Sequence, residues 1–195
     1  MPQNKIKSLI PALESLLDFF SDINIENIII GGIAANLLGK PRFTADIDTL
    51  IFLPEENLDD FLKKAEKDGI IPRIEDALEF AKRKRVFLLK HKSTGVNIDL
   101  SLGLLPFEIE VLKRAKTVKI SKLKFKLPSV EDLIIMKAVA HRPIDLEDIR
   151  NILDVNPGLD FKRIKHWVKE FAKILEMPEI FNDLKKLIYS SKGRK

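Results

Sequence analysis

Asp46 and Asp48 flank one isoleucine at the head of a run that, Thr49 apart, is otherwise apolar through Leu53. Two carboxylates this close repel each other and resist burial, and a cation held between them removes both penalties. Upstream, Gly31-Gly32 follows the run Ile28-Ile29-Ile30 and precedes the apolar stretch Ile33 to Leu38. A diglycine turn that opens a helix offers free backbone N–H groups and the positive end of the helix dipole, which suits an anion. Glycine also lets a ligand approach the backbone closely. An anion cradle beside a carboxylate pair describes a metal–triphosphate site.

Two strands and a helix must hold these groups. Ile28 to Ile30 reads as a buried strand, and Ile33 to Leu38 as a short helix stopped by Gly39 and Pro41. The next strand carries both acids. Its period of two places Asp46, Asp48, Leu50 and Phe52 on one face, and Ile47, Thr49, Ile51 and Leu53 on the other. Further on, Val86 to Lys90 and Val96 to Leu102 read as a hairpin joined across Ser93-Thr94-Gly95. Val96, Ile98, Leu100 and Leu102 face one way there, and Asn97, Asp99 and Ser101 the other. Asp99 is an acid in an apolar strand, costly unless paired.

The remaining segments read mostly as helices. Ile6 to Phe20 is amphipathic, with Leu9, Leu13, Leu16, Leu17 and Phe20 on one stripe and Pro11 expected in the first turn. Helices follow from Pro54 to Lys67, about Glu75 to Lys84 and about Pro106 to Ala115. A pair of short strands, Val118 to Ile120 and Leu123 to Leu127, leads to a helix capped by Ser129 that carries Lys137. Pro143 starts the next helix, through Leu153. The turn Asn156-Pro157-Gly158 then leads to two more, about Asp160 to Glu176 and Glu179 to Ser190.

In this order, Gly31-Gly32-Ile33-Ala34, the strand segment Arg42-Phe43-Thr44-Ala45-Asp46-Ile47-Asp48 and the helical segment from Lys137 to Asp145 resemble a known superfamily, the DNA polymerase β-like nucleotidyltransferases. The likeness is to its Abi-type toxin branch, and it covers about Glu26 to Leu153. It implies an α/β (α+β) fold, a small mixed sheet flanked by helices, with residues 1–127 as the core and 128–195 as a helical C-terminal part. It implies that Asp46 and Asp48 hold two Mg²⁺ ions, with Asp99 as the third carboxylate. Gly31 and Gly32 would cradle the phosphates of an NTP, and Arg42 and Lys137 would neutralise their charge. Asp145 would be the acid partner of Lys137, with Asp148 either a further member or a surface residue. The implied reaction moves a nucleoside monophosphate to an acceptor hydroxyl, on tRNA in the toxin branch, with an antitoxin protein as partner. One departure stands out. Many relatives have Gly-Ser where this chain has Gly31-Gly32, and that serine contacts the terminal phosphates. The alternatives are a small-molecule, antibiotic-type nucleotidyltransferase and a non-catalytic nucleotide- or RNA-binding module on the same fold.

Composition narrows the classes. The chain contains no cysteine, which excludes disulfides and thiolate chemistry and fits a reducing compartment. No run approaches a membrane span, and the polar start Met1-Pro2-Gln3-Asn4-Lys5 is not a signal peptide, so the expected location is cytoplasmic. Three scattered histidines give no zinc spacing, and no P-loop or nucleophilic triad is present. The net charge of +5 lies wholly in residues 160–195, where ten Lys or Arg face five Asp or Glu. That excess suits either a polyanion such as RNA or a solvated basic helix face. Its candidate contacts are Lys162, Arg163, Lys165, Lys169, Lys185, Lys186 and the tail Lys192-Gly193-Arg194-Lys195.

Overall fold

Short β-branched runs assemble a five-stranded mixed sheet in the first of two units of the computed structural model, which describes the backbone of residues 2–192 and the side chains of 9–191. This unit comprises the chain up to Ile33 together with Phe43–Leu127. Its elements in chain order are α1 (Pro2–Asp22), β1 (Asn27–Ile29), the start of α2 (Gly31–Leu38), β2 (Ile47–Ile51), α3 (Leu58–Lys67), β3 (Ile70–Pro72), α4 (Ala77–Lys84), β4 (Val86–His91), β5 (Asn97–Leu102), α5 (Pro106–Arg114), β6 (Lys116–Ile120) and β7 (Leu123–Leu127). The strand order is β1-β2-β5-β4-β3; β2 and β5 are parallel and the other neighbours antiparallel. β6 and β7 form a separate hairpin. The mixed α+β architecture is the expected one.

One face of the sheet is sealed by aromatic packing. Phe61 of α3 lies 5.4 Å from Phe19 of α1 and 5.6 Å from Phe87 of β4, ring centre to ring centre. Leu89, Ile98 and Leu100 are fully buried on the same face. The opposite face keeps Leu88, Lys90, Asn97, Asp99 and Ser101 only half-buried.

α1 and β3 depart from the sequence reading, as do α2, which takes in Gly31 and Gly32, and β2, which begins at Ile47. α1 runs through Pro11 instead of starting near it. Pro11 is exposed, and the buried stripe of Ala12, Leu13, Leu16, Phe19 and Phe20 outweighs the roughly 3 kcal/mol cost of an interior proline. β3 lacks any periodic signal, being three residues long. It pairs only with β4, and as an edge strand it tolerates Pro72.

The second unit contains α6 (Val130–Ala140), α7 (Pro143–Val155), α8 (Phe161–Ile174) and α9 (Pro178–Lys192), together with Ala34–Arg42. The expected division at Leu127 left residues 34–42 with the core. The structure instead ties them to α7. Asn156 Nδ2 donates to Leu38 O at 2.6 Å, and Lys40 pairs with Asp154 at 2.6 Å. A Cβ on Gly39 would come within 2.9 Å of Ile152 Cγ1. At the start of α6, Ser129 Oγ accepts from Asp132 N at 3.1 Å, the cap anticipated from sequence. The Asp132 carboxylate is fully buried against the Arg163 guanidinium, at 2.8 Å. Arg163 is therefore a structural partner rather than an exposed basic contact. Among the described residues no helix is long and apolar enough to cross a membrane.

Phe61 joins α1, α3 and the sheet, so Phe61→Ala should cost about 3–5 kcal/mol of unfolding free energy in urea titration. A loss below about 1 kcal/mol would contradict this packing.

Candidate active site

The register between β2 and β5 decides where the acids meet. Asp48 and Asp99 are directly paired across the parallel ladder, so both side chains leave the same face of adjacent strands. Asp99 is paired in turn with Leu88 of β4. The backbone hydrogen bonds extend this line in both directions: Ile30 N donates to Asp48 O, and Arg73 N to Leu88 O, each at 2.9 Å. A single row thus crosses the sheet from Ile30 through Asp48 and Asp99 to Arg73. Asp46 is not within the strand as expected. It occupies an exposed bend just before Ile47, where its Oδ1 accepts from Asn97 Nδ2 at 3.2 Å.

Each carboxylate has its own partner here. Asp48 Oδ2 accepts from Gly32 N at 3.4 Å, and Asp99 Oδ1 pairs with the Arg73 guanidinium. Among the described residues no three acids or histidines stand ready-made as a chelating group. The acids nevertheless feel one another. Burial pushes the Asp99 carboxyl above its ordinary range; Arg73 counteracts this, while Asp48 and Asp46 add to it. An all-oxygen set in which burial and like charge outweigh the Arg73 guanidinium at Asp99 fits a hard divalent ion.

Both glycines serve this corner. Gly31 has a φ of +60°, and a Cβ on it would overlap Asp48 Oδ2. A Cβ on Gly32 would fall on Thr44 Oγ1 and lie 2.8 Å from Thr44 Cβ. The pair is thus required by neighbouring side chains, over and above any role toward an anion.

Arg42, Lys137 and Asp145 belong to the second unit, where they join Asp148 in a buried ion cluster. Lys137 Nζ lies 2.9 Å from Asp145 Oδ1 and 2.7 Å from Asp148 Oδ2. Arg42 grips Asp148 with two bonds, Nε to Oδ1 at 2.6 Å and Nη2 to Oδ2 at 2.7 Å. Arg142 Nε reaches Asp145 Oδ2 at 2.6 Å. Asp148 is buried, which removes the surface reading. Burial alone would raise both acids. For Asp145 the hydrogen bonds from Arg142 and Lys137 outweigh it, and for Asp148 those from Arg42 and Lys137, so both are held below the usual carboxylate range. Lys137 and Arg42, expected to face phosphate, have their charge engaged by these acids.

Sequence reading gave no role to four residues that the structure brings in. Arg73 follows an edge strand without periodicity. Asn97 sat on the polar face of its strand, and Thr44 lay within the motif. Asn36 brackets the loop by accepting from Arg42 N at 2.8 Å and donating to Arg42 O at 2.7 Å.

Residues 5–191 match a family model described as "Nucleotidyltransferase of unknown function (DUF6036)". The chain belongs to that family. It is accordingly a nucleotidyltransferase. No curated protein matches it. Among solved structures, the nucleotidyltransferase is similar in fold to an antigenic nucleotidyltransferase-like protein from Paracoccidioides brasiliensis (17% identity, 91% of each chain, TM-score 0.52). It is also similar to the lincosamide antibiotic adenylyltransferase LnuA, solved with lincomycin bound (17% identity, 75% of this chain and 97% of that one, TM-score 0.53). A third is the antibiotic-resistance factor ANT(2'')-Ia (16% identity, 100% of this chain and 94% of that one, TM-score 0.51).

The ion cluster makes a pH prediction. Asp145 and Asp148 titrate below their unfolded value, so the stability they contribute is present above that value and is lost as pH falls through their folded pKa values. Lys137→Met leaves two buried acids short of a cation and raises both. Its acid-unfolding midpoint, followed by circular dichroism, should move up by about one pH unit, with about 3–5 kcal/mol lost at neutral pH. An unmoved acid transition would contradict the cluster.

Proposed function

We propose that the protein transfers a nucleoside monophosphate from an NTP to an acceptor hydroxyl, with pyrophosphate as the leaving group. The observation that supports this best is the row in which Asp48 and Asp99 stand side by side on parallel strands, with Asp46 at the strand entrance. In the step, the acceptor oxygen bonds to the α-phosphorus and the bridging bond to the β-phosphate breaks. Asp99 takes the acceptor proton, since its carboxylate leaves the same sheet face as Asp48, beside the reacting centre. Asp46, Asp48 and Asp99 would hold Mg²⁺, two ions in the full set. When bound, these supply charge stabilisation for the attacking and leaving oxygens. Gly31 and Gly32 let the phosphates approach the backbone at the start of α2. Lys137, Asp145 and Arg42 enter as positioning residues, through the cluster that holds residues 34–42 on α7.

For the acceptor we propose RNA. The whole net charge lies in residues 160–195, and Lys162, Lys165, Lys169, Lys185 and Lys186 are exposed on α8 and α9. Arg163 no longer belongs to this group, and the side chains of Lys192, Arg194 and Lys195 lie outside the described residues. In the toxin-like form of this reading the protein is cytoplasmic, the acceptor is tRNA, and an antitoxin protein restrains the activity. An antibiotic-type small acceptor is the competing outcome.

Two measurements test the proposal. Mg²⁺ with NTP should raise the melting temperature of the native protein. Asp48→Asn should abolish that rise and lower transfer about 10²-fold or more, without lowering metal-free stability, because it relieves repulsion with Asp99. A variant that unfolds without metal, or transfers at the native rate, would contradict the assignment. Replacing Lys162, Lys165 and Lys169 with Glu should reduce labelling of total RNA and flatten its salt dependence, while Mg·NTP binding is retained. Undiminished RNA labelling by that variant would point to an acceptor bound without these helices.

A further inference from the structure

The Gly31-Gly32 pair has no hydroxyl, yet one stands in the volume that a side chain at position 32 would fill. A Cβ built on Gly32 would land on Thr44 Oγ1, with Thr44 Cβ at 2.8 Å and Thr44 Cγ2 farther away at 3.6 Å. The hydroxyl, rather than the methyl, is therefore the part of Thr44 turned toward the Gly32 backbone. Gly32 N itself lies 3.4 Å from Asp48 Oδ2, so the Thr44 hydroxyl sits in the same corner as a carboxylate of the row. Its hydrogen bond within the chain is weak: Oγ1 donates to Asp46 O at 3.5 Å, the outer limit for such a bond. Thr44 is half-buried and lies two residues before the bend at Asp46. A hydroxyl with a poorly used proton, fixed beside the Gly32 backbone and the Asp46 carbonyl, is a donor in search of an acceptor.

We infer that Thr44 is a nucleotide-binding residue, whose hydroxyl donates to a phosphate oxygen of the NTP beside the Gly32 backbone. The inference rests on the NTP reading of the Asp46–Asp48–Asp99 corner and adds to it which side chain contacts the phosphates. It also gives Gly32 a second reason to be glycine. Any larger residue would displace the Thr44 hydroxyl, so positions 32 and 44 have room for one hydroxyl between them.

The test uses the full-length chain and measures Mg²⁺-dependent binding of each of ATP, GTP, CTP and UTP by calorimetry, with melting temperature recorded alongside. Thr44→Val keeps the shape and removes the donor. Its affinity for the nucleotide that the native protein binds should fall about 10- to 100-fold, the usual worth of a hydrogen bond to a charged group. Thr44→Ser should stay within about threefold of native, since it keeps the hydroxyl. The exchange Gly32→Ser with Thr44→Gly moves the hydroxyl to the other side of the same volume and should recover most of the affinity lost in Thr44→Val. Gly32→Ser alone crowds Thr44 and should bind more weakly than the exchanged pair. Native-like affinity in a folded Thr44→Val protein would overturn the role of Thr44 while leaving the NTP reading in place. If the native protein binds none of the four nucleotides with Mg²⁺, both readings fail together. Should Thr44→Val fail to fold, the exchanged pair decides: affinity no better than Gly32→Ser alone overturns the inference.

Discussion

Like charges on neighbouring parallel strands set the terms for the first unit. Strands in a sheet lie about 4.8 Å apart, and the β2–β5 register places Asp48 directly beside Asp99 at that spacing. A shift of one residue would turn one of the two acids to the aromatic-packed face, where Phe87 and Ile98 leave no room for charge. The register must therefore be held firmly against the repulsion it creates. The apolar residues alternating with the acids hold it: Ile47, Ile51, Ile98 and Leu100 are all fully buried. Hydrophobic burial on one face thus keeps an unfavourable electrostatic pair in place on the other, an arrangement expected where a bound cation relieves the strain.

The neighbouring groups follow from that corner. Arg73 gives Asp99 a counter-charge, Asn97 occupies Asp46, and Gly31 leaves space for the Asp48 carboxylate. Cation binding would draw these acids from separate partners to a common one, so Arg73 marks the interaction that must yield. In the second unit the balance is reversed. Lys137, Arg42 and Arg142 surround Asp145 and Asp148, and the acids are held ionised rather than pushed toward protonation. Asp99 on the one hand and Asp145 and Asp148 on the other are thus tuned in opposite directions by their surroundings.

Much of this was legible in the sequence because it rests on local patterns. Alternation in Asn97–Leu102 gave the face of Asp99, and the apolar runs gave most helices within a few residues. Family likeness supplied the grouping of Asp46, Asp48 and Asp99, which spacing alone could not. What escaped depends on tertiary partners. Nothing near Arg73 signals that an edge strand will carry it across Leu88 to Asp99. The commitment of Lys137 and Arg42 to carboxylates, and of Arg163 to Asp132, turns on helix packing that a single sequence does not show. Gly32 was readable as a glycine with a purpose, but the overlapping Thr44 hydroxyl appears only in three dimensions.

The central claim, transfer of the α-phosphoryl group with its nucleoside, is tested most directly by supplying the same NTP labelled either on the α- or on the γ-phosphorus, with Mg²⁺ and a total RNA acceptor. The structure leads us to expect acceptor labelling from the α-labelled NTP only, with one pyrophosphate released per label transferred and both signals lost in Asp48→Asn. Labelling from the γ-position, or NTP consumption that persists in Asp48→Asn, would contradict the account.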